Sequence, residues 1–276
     1  MRVLVCNRGD AASVNLRDRL LASGTWEETG RTFRGHPFWA RSEALLVQID
    51  GPSITDEALD ADLRATALPI RDVWFLSKHA AASGTPSLTV HPIGNPGEAR
   101  YGGHPGKLVP AAPRDMGALL RRMRHHASVL GLPHQVAYEA THHGPFLSFP
   151  TLFVEIGSDA TWYGDPASGQ AVANAILDVL AGDGRCAGPV LVGVGGGHYA
   201  PRATDMALAG EADFGHLIPN HGLEAAADPV ALLRHAVEQT SGCAGLHLHH
   251  KGMNGALRQK ATAWANEAGV PVHNPR

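Results

Sequence analysis

The feature that most constrains the fold is a series of short apolar runs, each bounded by turn residues. The runs are Val3–Cys6, Ala44–Ile49, Val73–Leu76, Val136–Tyr138, Leu152–Ile156, Val190–Val194, Phe214–Ile218 and Leu246–Leu248. Apolar runs this short, and rich in β-branched residues, are typical of buried strands. The chain is therefore expected to build its core around β-structure.

Helical patterns lie between several of these runs. Apolar residues repeat every three or four positions at Met116, Leu119, Leu120 and Met123, and again at Val172, Ala175, Ile176, Val179 and Leu180. Asp228 and Pro229 supply a capping side chain and a first-turn proline for a later helix. Strands that alternate with helices predict an α/β fold with a mostly parallel central sheet covered by helices on both faces. Ligands are expected at the carboxyl ends of the strands.

Composition narrows the class of protein. The chain has 276 residues, 44% of them hydrophobic, and no linker-like segment, so we expect one domain over residues 1–276. It contains no apolar stretch long enough to cross a bilayer and no leader cleavage region, which predicts a cytoplasmic protein without a membrane partner. The net charge of −3 argues against indiscriminate binding to DNA. The three cysteines are far apart, so any metal must rely on histidine and carboxylate.

Histidine is abundant, with 17 residues, and the pair His142-His143 follows a predicted strand. Adjacent residues in extended chain point to opposite sides, so we expect one imidazole to face a metal or substrate and the other to pack. Glu139, just before the pair, is a candidate carboxylate for orienting an imidazole. A purely structural role for both histidines stays open.

A second candidate is the glycine-rich segment that follows Val190–Val194. Glycines allow close approach of the backbone, and their N–H groups can stabilise an oxyanion. The segment does not match a Walker loop or a dinucleotide fingerprint, which disfavours nucleotide cofactors. A plain tight turn is the alternative. The candidate substrate and oxyanion residues here are Gly195, Gly196, Gly197, Tyr199 and Arg202, with His198 among them as a catalytic candidate.

Four further residues are candidate metal ligands: His79, His91, Glu155 and His216. Glu155 lies within an apolar strand, where an unpaired carboxylate costs several kcal/mol. A bound Zn²⁺, an imidazolium or backbone amides would each compensate that charge, and the sequence leaves the choice open.

A basic helix edge is the candidate tRNA-backbone contact. It consists of Arg121, Arg122 and Arg124, and Arg121 and Arg124 lie one turn apart. Arginine side chains of this kind bind phosphates. An ordinary solvated helix face explains the pattern equally well.

Several longer motifs occur together: YEATHHGP at 138–145, FVEIGS at 153–158, VGGGHYAPR at 194–202, FGHLIP at 214–219, and Lys251-Gly252. In order and spacing they resemble the archaeal and plant type of D-aminoacyl-tRNA deacylase over about residues 2–275. The resemblance implies hydrolysis of the ester between a D-amino acid and tRNA, with D-aminoacyl-tRNA as partner. It also implies a fold similar to peptidyl-tRNA hydrolases and nucleoside phosphorylases, and an association with zinc.

Our hypothesis combines the motifs with this resemblance. The catalytic candidates are His142, His143, His198 and Lys251, and Lys251 is expected to stabilise the oxyanion together with the glycine amides. This chain departs from the family pattern at His249-His250, where an acidic-aromatic pair is usual, and at Pro96. The departure motivates an alternative, a metal-dependent hydrolase or phosphorylase of a small metabolite on the same fold. The sequence does not indicate an oligomeric state.

Overall fold

Two β-sheets organise residues 1–273, the part of the chain that the computed structural model describes. The strands are β1 (Arg2–Asn7), β2 (Glu27–Phe33), β3 (His36–Arg41), β4 (Ala44–Ile49), β5 (Asp72–Ala80), β6 (Ser87–His91), β7 (Gln135–Tyr138), β8 (Thr151–Ser158), β9 (Val190–Val194), β10 (Asp213–Ile218) and β11 (Cys243–Leu248). The α-helices are α1 (Ala11–Ala22), α2 (Ala58–Ala65), α3 (Pro113–Val129), α4 (Ala160–Tyr163), α5 (Pro166–Leu180), α6 (Pro201–Leu208), α7 (Asn220–Ala225), α8 (Pro229–Glu238) and α9 (Gly255–Glu267). Short 3-10 helices occur at Ser53–Thr55 and His250–Gly252.

The larger sheet has eight strands in the order β2-β3-β4-β1-β5-β8-β6-β7, and the smaller has the order β10-β9-β11. All pairs in the smaller sheet are parallel. In the larger sheet β4, β1, β5 and β8 run parallel, whereas β6 and β7 run antiparallel to β8. The α/β class with mostly parallel strands is confirmed, but the strands divide between two sheets where one central sheet was expected.

The larger sheet is buried on both faces, as β1 illustrates. Val3 and Val5 pack into one apolar core, and Leu4 and Cys6 pack into the other. Helices α1, α3 and α5 pack together over the Leu4 face. Helix α3 also packs against β10, so it links the two sheets. This contact brings the loops of the smaller sheet against the larger one.

The helices predicted from apolar periodicity are confirmed as α3 and α5, and the helix predicted from the Asp228-Pro229 start signal is confirmed as α8. Asp228 caps α8 by accepting hydrogen bonds from the amides of Val230 and Ala231. Strands β2, β3 and β6 were not predicted. Strand β2 is polar and mostly exposed, and β6 mixes polar with apolar residues, so neither shows the apolar run on which the prediction depended. Strand β3 contains Phe38, Trp39 and Ala40 and pairs with β2 in an antiparallel hairpin. Among the described residues, no helix has the length and apolar character needed to span a membrane.

Candidate active site

Four titratable side chains from neighbouring strands meet on one face of the larger sheet. They are His79 of β5, Glu155 of β8, His91 of β6, and Glu139 immediately after β7. Because β6 and β7 run opposite to β5 and β8, the ends of these strands do not share one edge. His79, His91 and Glu139 still lie at or just after the carboxyl ends of their own strands, whereas Glu155 lies within β8. The cluster therefore lies across the face where the strand direction reverses.

Glu139 and Glu155 are buried carboxylates surrounded by imidazoles. His79 Nδ1 lies 3.1 Å from Glu139 Oε1 and 3.6 Å from Glu155 Oε2, and His91 Nε2 lies 3.7 Å from Glu155 Oε2. Burial disfavours the charged imidazole of His79, but the two carboxylates outweigh it and raise its pKa to about 11. Burial also opposes ionisation of Glu139, and His198 and His79 overcome it and hold the pKa of that carboxyl well below its usual range.

His142 and His143 both turn toward His91. The ring centroid of His91 lies 4.2 Å from that of His142 and 5.0 Å from that of His143. The expectation that the two histidines point to opposite sides is wrong, because His143 adopts a left-handed conformation with φ of 45° rather than an extended one. Burial, followed by the charge of His91, lowers the pKa of His143 to about 3. Both causes also act on His142 and lower its pKa well below the ordinary value.

Backbone carbonyls set the tautomers of these three histidines. His91 Nδ1 donates to the carbonyl of Pro92 at 3.1 Å, His142 Nδ1 to that of Ala140 at 2.7 Å, and His143 Nδ1 to that of Gly144 at 2.6 Å. A carbonyl oxygen only accepts, so each Nδ1 must carry the proton. Because the pKa values of His142 and His143 are lowered, the Nε2 of each keeps a lone pair for a cation or a reacting proton, whereas the Nε2 of His91 faces Glu155.

The smaller sheet contributes His198 and Tyr199 through the loop after β9. The amide of Ala140 donates to the carbonyl of His198 at 2.6 Å, which fixes this loop beside Glu139. His198 Nε2 then lies 2.8 Å from Glu139 Oε2, and the Tyr199 hydroxyl lies 3.0 Å from His79 Nε2. His198 is the most open member of the cluster, with 41% of its side chain exposed.

The donor set fits a metal. Both oxygens of Glu139 and the Nε2 of His91 are buried without a hydrogen-bond partner among the described residues. The nearest imidazole nitrogens lie 3.1 and 2.8 Å from the two Glu139 oxygens, and the nearest carboxylate oxygen of Glu155 lies 3.7 Å from His91 Nε2. In each of three sets of residues, the potential ligand atoms all lie within 4.8 Å of one another. The sets are His91 with His142 and His143, His79 with Glu139 and His198, and His91 with Glu139 and Glu155. Imidazole and carboxylate are common zinc ligands. A shared cation would compensate these unpartnered atoms.

His216 was a metal candidate, and the structure assigns it to the core instead. Its Nε2 donates to the carbonyl of Val109 at 3.0 Å, and its Nδ1 accepts from the hydroxyl of Thr141 at 3.1 Å. Burial lowers the pKa of His216 to about 3. Both ring nitrogens are therefore occupied, and the role of His216 is to link β10 to the segment that carries His142.

The glycine segment does not supply the amides expected of it. The N–H groups of Gly195 and Gly196 donate at 2.8 Å to the carbonyls of Ile218 and Gly252. Two of the three expected oxyanion donors, Gly195 and Gly196, are thus used within the fold, and the remaining one is Gly197. The positive φ angles of 93° and 81° instead turn the chain so that His198 reaches the cluster.

Lys251 and Arg202 lie beside this segment rather than in the cluster. Lys251 is exposed in the 3-10 helix after β11, and Arg202 lies near His247 and His249. Burial and then the charge of Arg202 lower the pKa of His249. This edge of the smaller sheet is therefore positively charged, and it is separate from the carboxylates of the cluster.

The predicted tRNA contact on α3 is mostly engaged inside the fold. Arg121 donates to the carbonyls of Gly184 and Ala207 and to buried Asp213, and Arg122 pairs with Asp178 at 2.5 Å. Only Arg124 of the three is exposed. Arg121 and Arg122 act as structural ion pairs, so the expectation that they bind phosphates does not fit the structure.

Replacing Arg121 with alanine should lower the free energy of unfolding by about 2 kcal/mol, because Asp213 would lose one of its two guanidinium partners while remaining buried. Urea denaturation measures this loss. Arg124→Ala, on the same helix, is the matched control and should leave stability within about 0.5 kcal/mol. A weaker affinity of Arg121→Ala for tRNA at unchanged stability would contradict the structural role.

A cleft of about 670 Å³ opens over the cluster. His79, His142, His143, Glu155 and His198 lie on its wall. Sequence reasoning missed other lining residues, which are Asn7, Gly9, Asp10, Gly51, Pro52, Ser53, Ile54, Ser77, Lys78, Ala80 and Tyr101. Asn7 belongs to β1, Ser77, Lys78 and Ala80 belong to β5, and the others lie in loops or the first 3-10 helix. None of them forms a catalytic motif in the sequence. The cleft is large enough for a small organic group beside the catalytic candidates.

Comparison with known proteins shows the family of this chain. Residues 67–273 match the family model described as D-aminoacyl-tRNA deacylase. The D-aminoacyl-tRNA deacylase of Pyrococcus furiosus is 36% identical over 98% of each chain, and that of Methanosarcina acetivorans is 37% identical over 98% of this chain and 90% of its own. The crystal structure of a conserved protein of unknown function superimposes with a TM-score of 0.86 at 29% identity, covering 99% of this chain and 94% of that one. The chain belongs to the D-aminoacyl-tRNA deacylase family.

Proposed function

We propose that this protein is a hydrolase that cleaves the ester bond of D-aminoacyl-tRNA and releases the free D-amino acid and tRNA. The observation that carries the proposal is the convergence of five histidines and two buried glutamates at one cleft, in a chain of this family. Such a cluster supplies the acid–base groups that ester hydrolysis needs. We further propose that residues 1–276 act as one domain in the cytoplasm, where charged tRNA is used.

We propose Zn²⁺ as the metal, held by residues of the three converging sets. One zinc ion would take about four ligands, and the candidates are His79, His91, Glu139, Glu155, His142, His143 and His198. When bound, zinc supplies a Lewis acid that polarises an ester carbonyl and favours deprotonation of water. Support comes from the unpartnered oxygens of Glu139 and the free Nε2 of His91.

The side chains themselves position the reaction. His142 and His143 are neutral and line the cleft, so the Nε2 of whichever does not bind the metal can accept a hydrogen bond from an attacking water and orient it. The Tyr199 hydroxyl, hydrogen-bonded to His79, and the exposed imidazole of His198 are the nearest candidates to return a proton to the departing ribose oxygen. The amide of Gly197 and the Tyr199 hydroxyl are the remaining donors of this loop for the oxyanion.

A direct test is to compare hydrolysis of D-tyrosyl-tRNA with that of L-tyrosyl-tRNA by the purified protein. We expect release of D-tyrosine and little release of L-tyrosine. Equal release of both would remove the claim of chiral selectivity. Survival of D-tyrosyl-tRNA while a small ester or nucleoside is consumed would favour the small-metabolite enzyme instead.

We propose that the tRNA backbone contacts the edge of the smaller sheet that carries the charges of Arg202 and Lys251, beside His249 and His250, rather than α3. Replacing Lys251 with alanine should weaken tRNA binding and reduce the slope of log Kd against log salt by about 1, because one phosphate contact is lost. The rate constant at saturating substrate should stay unchanged, since Lys251 lies outside the cluster. Filter binding at several salt concentrations measures the slope.

Arg124→Ala is the matched control, since it removes an exposed charge from α3. It should leave both the affinity and the salt slope unchanged. A fall in the saturated rate of Lys251→Ala with an unaltered salt slope would return Lys251 to a catalytic role.

A further inference from the structure

Tyr101 is an exposed aromatic residue at the mouth of the catalytic cleft. Its exposed fraction is 67%, and it lines the same cleft as His142 and His143. The other large apolar residues exposed in the described part of the chain, Val129 and Leu130, lie together at the end of α3. An aromatic residue this exposed contributes little to the packing of the core, and it stays open to a ligand that enters the cleft.

The backbone beneath Tyr101 is held firmly although its ring is free. Its carbonyl accepts from the amide of Gly144 at 3.0 Å, and the next carbonyl, that of Gly102, accepts from Asn95 Nδ2 at 2.8 Å. Gly102 packs so closely that a Cβ there would overlap the carbonyl oxygen of Ile54. The ring therefore projects from a fixed platform that is tied to the segment carrying His143.

The proposed substrate carries a flat group that could stack on the Tyr101 ring, next to the reacting bond. The ester joins the amino acid to the ribose of the terminal adenosine of tRNA, so the adenine base lies on the same nucleotide as the reacting bond. Unpaired bases commonly stack on exposed aromatic side chains. Part of the wall near Tyr101, formed by Pro52 and Ile54, is also apolar.

Building on the proposed function, we propose that Tyr101 stacks on the terminal adenine of tRNA and thereby positions the ester over the histidine cluster. Tyr101 is a positioning residue in this arrangement, because it contacts the base and not the reacting carbonyl. The contact depends on the aromatic face, so phenylalanine should replace tyrosine and alanine should not.

The test uses a fluorescein-labelled RNA stem with a single-stranded CCA end, and the same RNA with an abasic terminal ribose. Fluorescence anisotropy with the full-length protein gives both dissociation constants. We expect the terminal adenine to tighten binding about tenfold in the wild type and in Tyr101→Phe, within the range for one base stacked on an aromatic ring. In Tyr101→Ala the two RNAs should bind equally. Leu130→Ala, which removes another exposed apolar side chain, should behave as wild type.

Retention of the tenfold preference by Tyr101→Ala would overturn the proposal, as would a wild type that does not distinguish the two RNAs. If Tyr101 contacted the amino acid instead of the base, the wild type would bind the two RNAs equally, because neither RNA carries an amino acid. Hydrolysis is a separate readout: Tyr101→Ala should raise KM for D-tyrosyl-tRNA and leave kcat within about twofold. An adenine preference without any D-tyrosyl-tRNA hydrolysis would reject the proposed function while supporting this inference.

Discussion

Glu139→Gln should reduce the rate of D-tyrosyl-tRNA hydrolysis by about 10³-fold, within the range for loss of an acid–base or electrostatic group. Glutamine keeps the volume of glutamate but removes the negative charge that lies 3.1 Å from His79 and 2.8 Å from His198. Glu139 is the one residue of the cluster that contacts His79, His142 and His198 alike. Single-turnover kinetics at saturating enzyme would measure the effect.

The variant needs a readout that does not depend on turnover. Zinc bound per chain, measured by mass spectrometry after dialysis against dilute ZnCl₂, should fall in Glu139→Gln because a charged ligand is lost. Glu267→Gln, on the exposed side of α9, provides the matched change and should leave rate and zinc content unaltered. A Glu139→Gln protein with wild-type rate and zinc content would show that the cluster is not the active site.

Removal of metal is the second large effect expected. A chelator should abolish hydrolysis, and added Zn²⁺ should restore it. Because the unpartnered atoms of Glu139 and His91 gain a cation only in the folded chain, zinc should also raise the Tm. Binding at a thousand times Kd adds about 4 kcal/mol to the free energy of unfolding, which corresponds to roughly 10 °C for a chain of this size.

Differential scanning calorimetry with and without zinc measures that shift. The double variant His91→Gln/Glu155→Gln serves as the comparison, since it removes two members of one converging set. Its Tm should respond to zinc much less than that of the wild type. Hydrolysis that persists in chelator, together with a Tm that zinc does not change, would exclude a metal from the reaction.

Several features of this protein follow from its sequence alone. Apolar runs and three-to-four spacing predicted the α/β class and helices α3 and α5, because burial of one strand or helix face is a local, periodic property. The Asp228-Pro229 pair, a local capping signal, predicted the start of α8. Motifs longer than any single catalytic pattern identified the family. Glu155 and the His142-His143 pair were recognisable as chemical candidates, since a carboxylate inside an apolar strand requires a partner.

Other features depended on the tertiary structure. The reversal of β6 and β7 against β8 brings His91 onto the same face as Glu155, and periodicity carries no information about strand direction. The φ of 45° at His143 turns both adjacent histidines inward. His216 and Arg121 have the residue types of a site, but their polar nitrogens are paired with Thr141, Val109 and Asp213. Distant segments must pack before it is settled which polar groups find partners within the fold and which stay unpartnered. That distinction separates the cluster around Glu139 from the histidines and arginines that only support the fold.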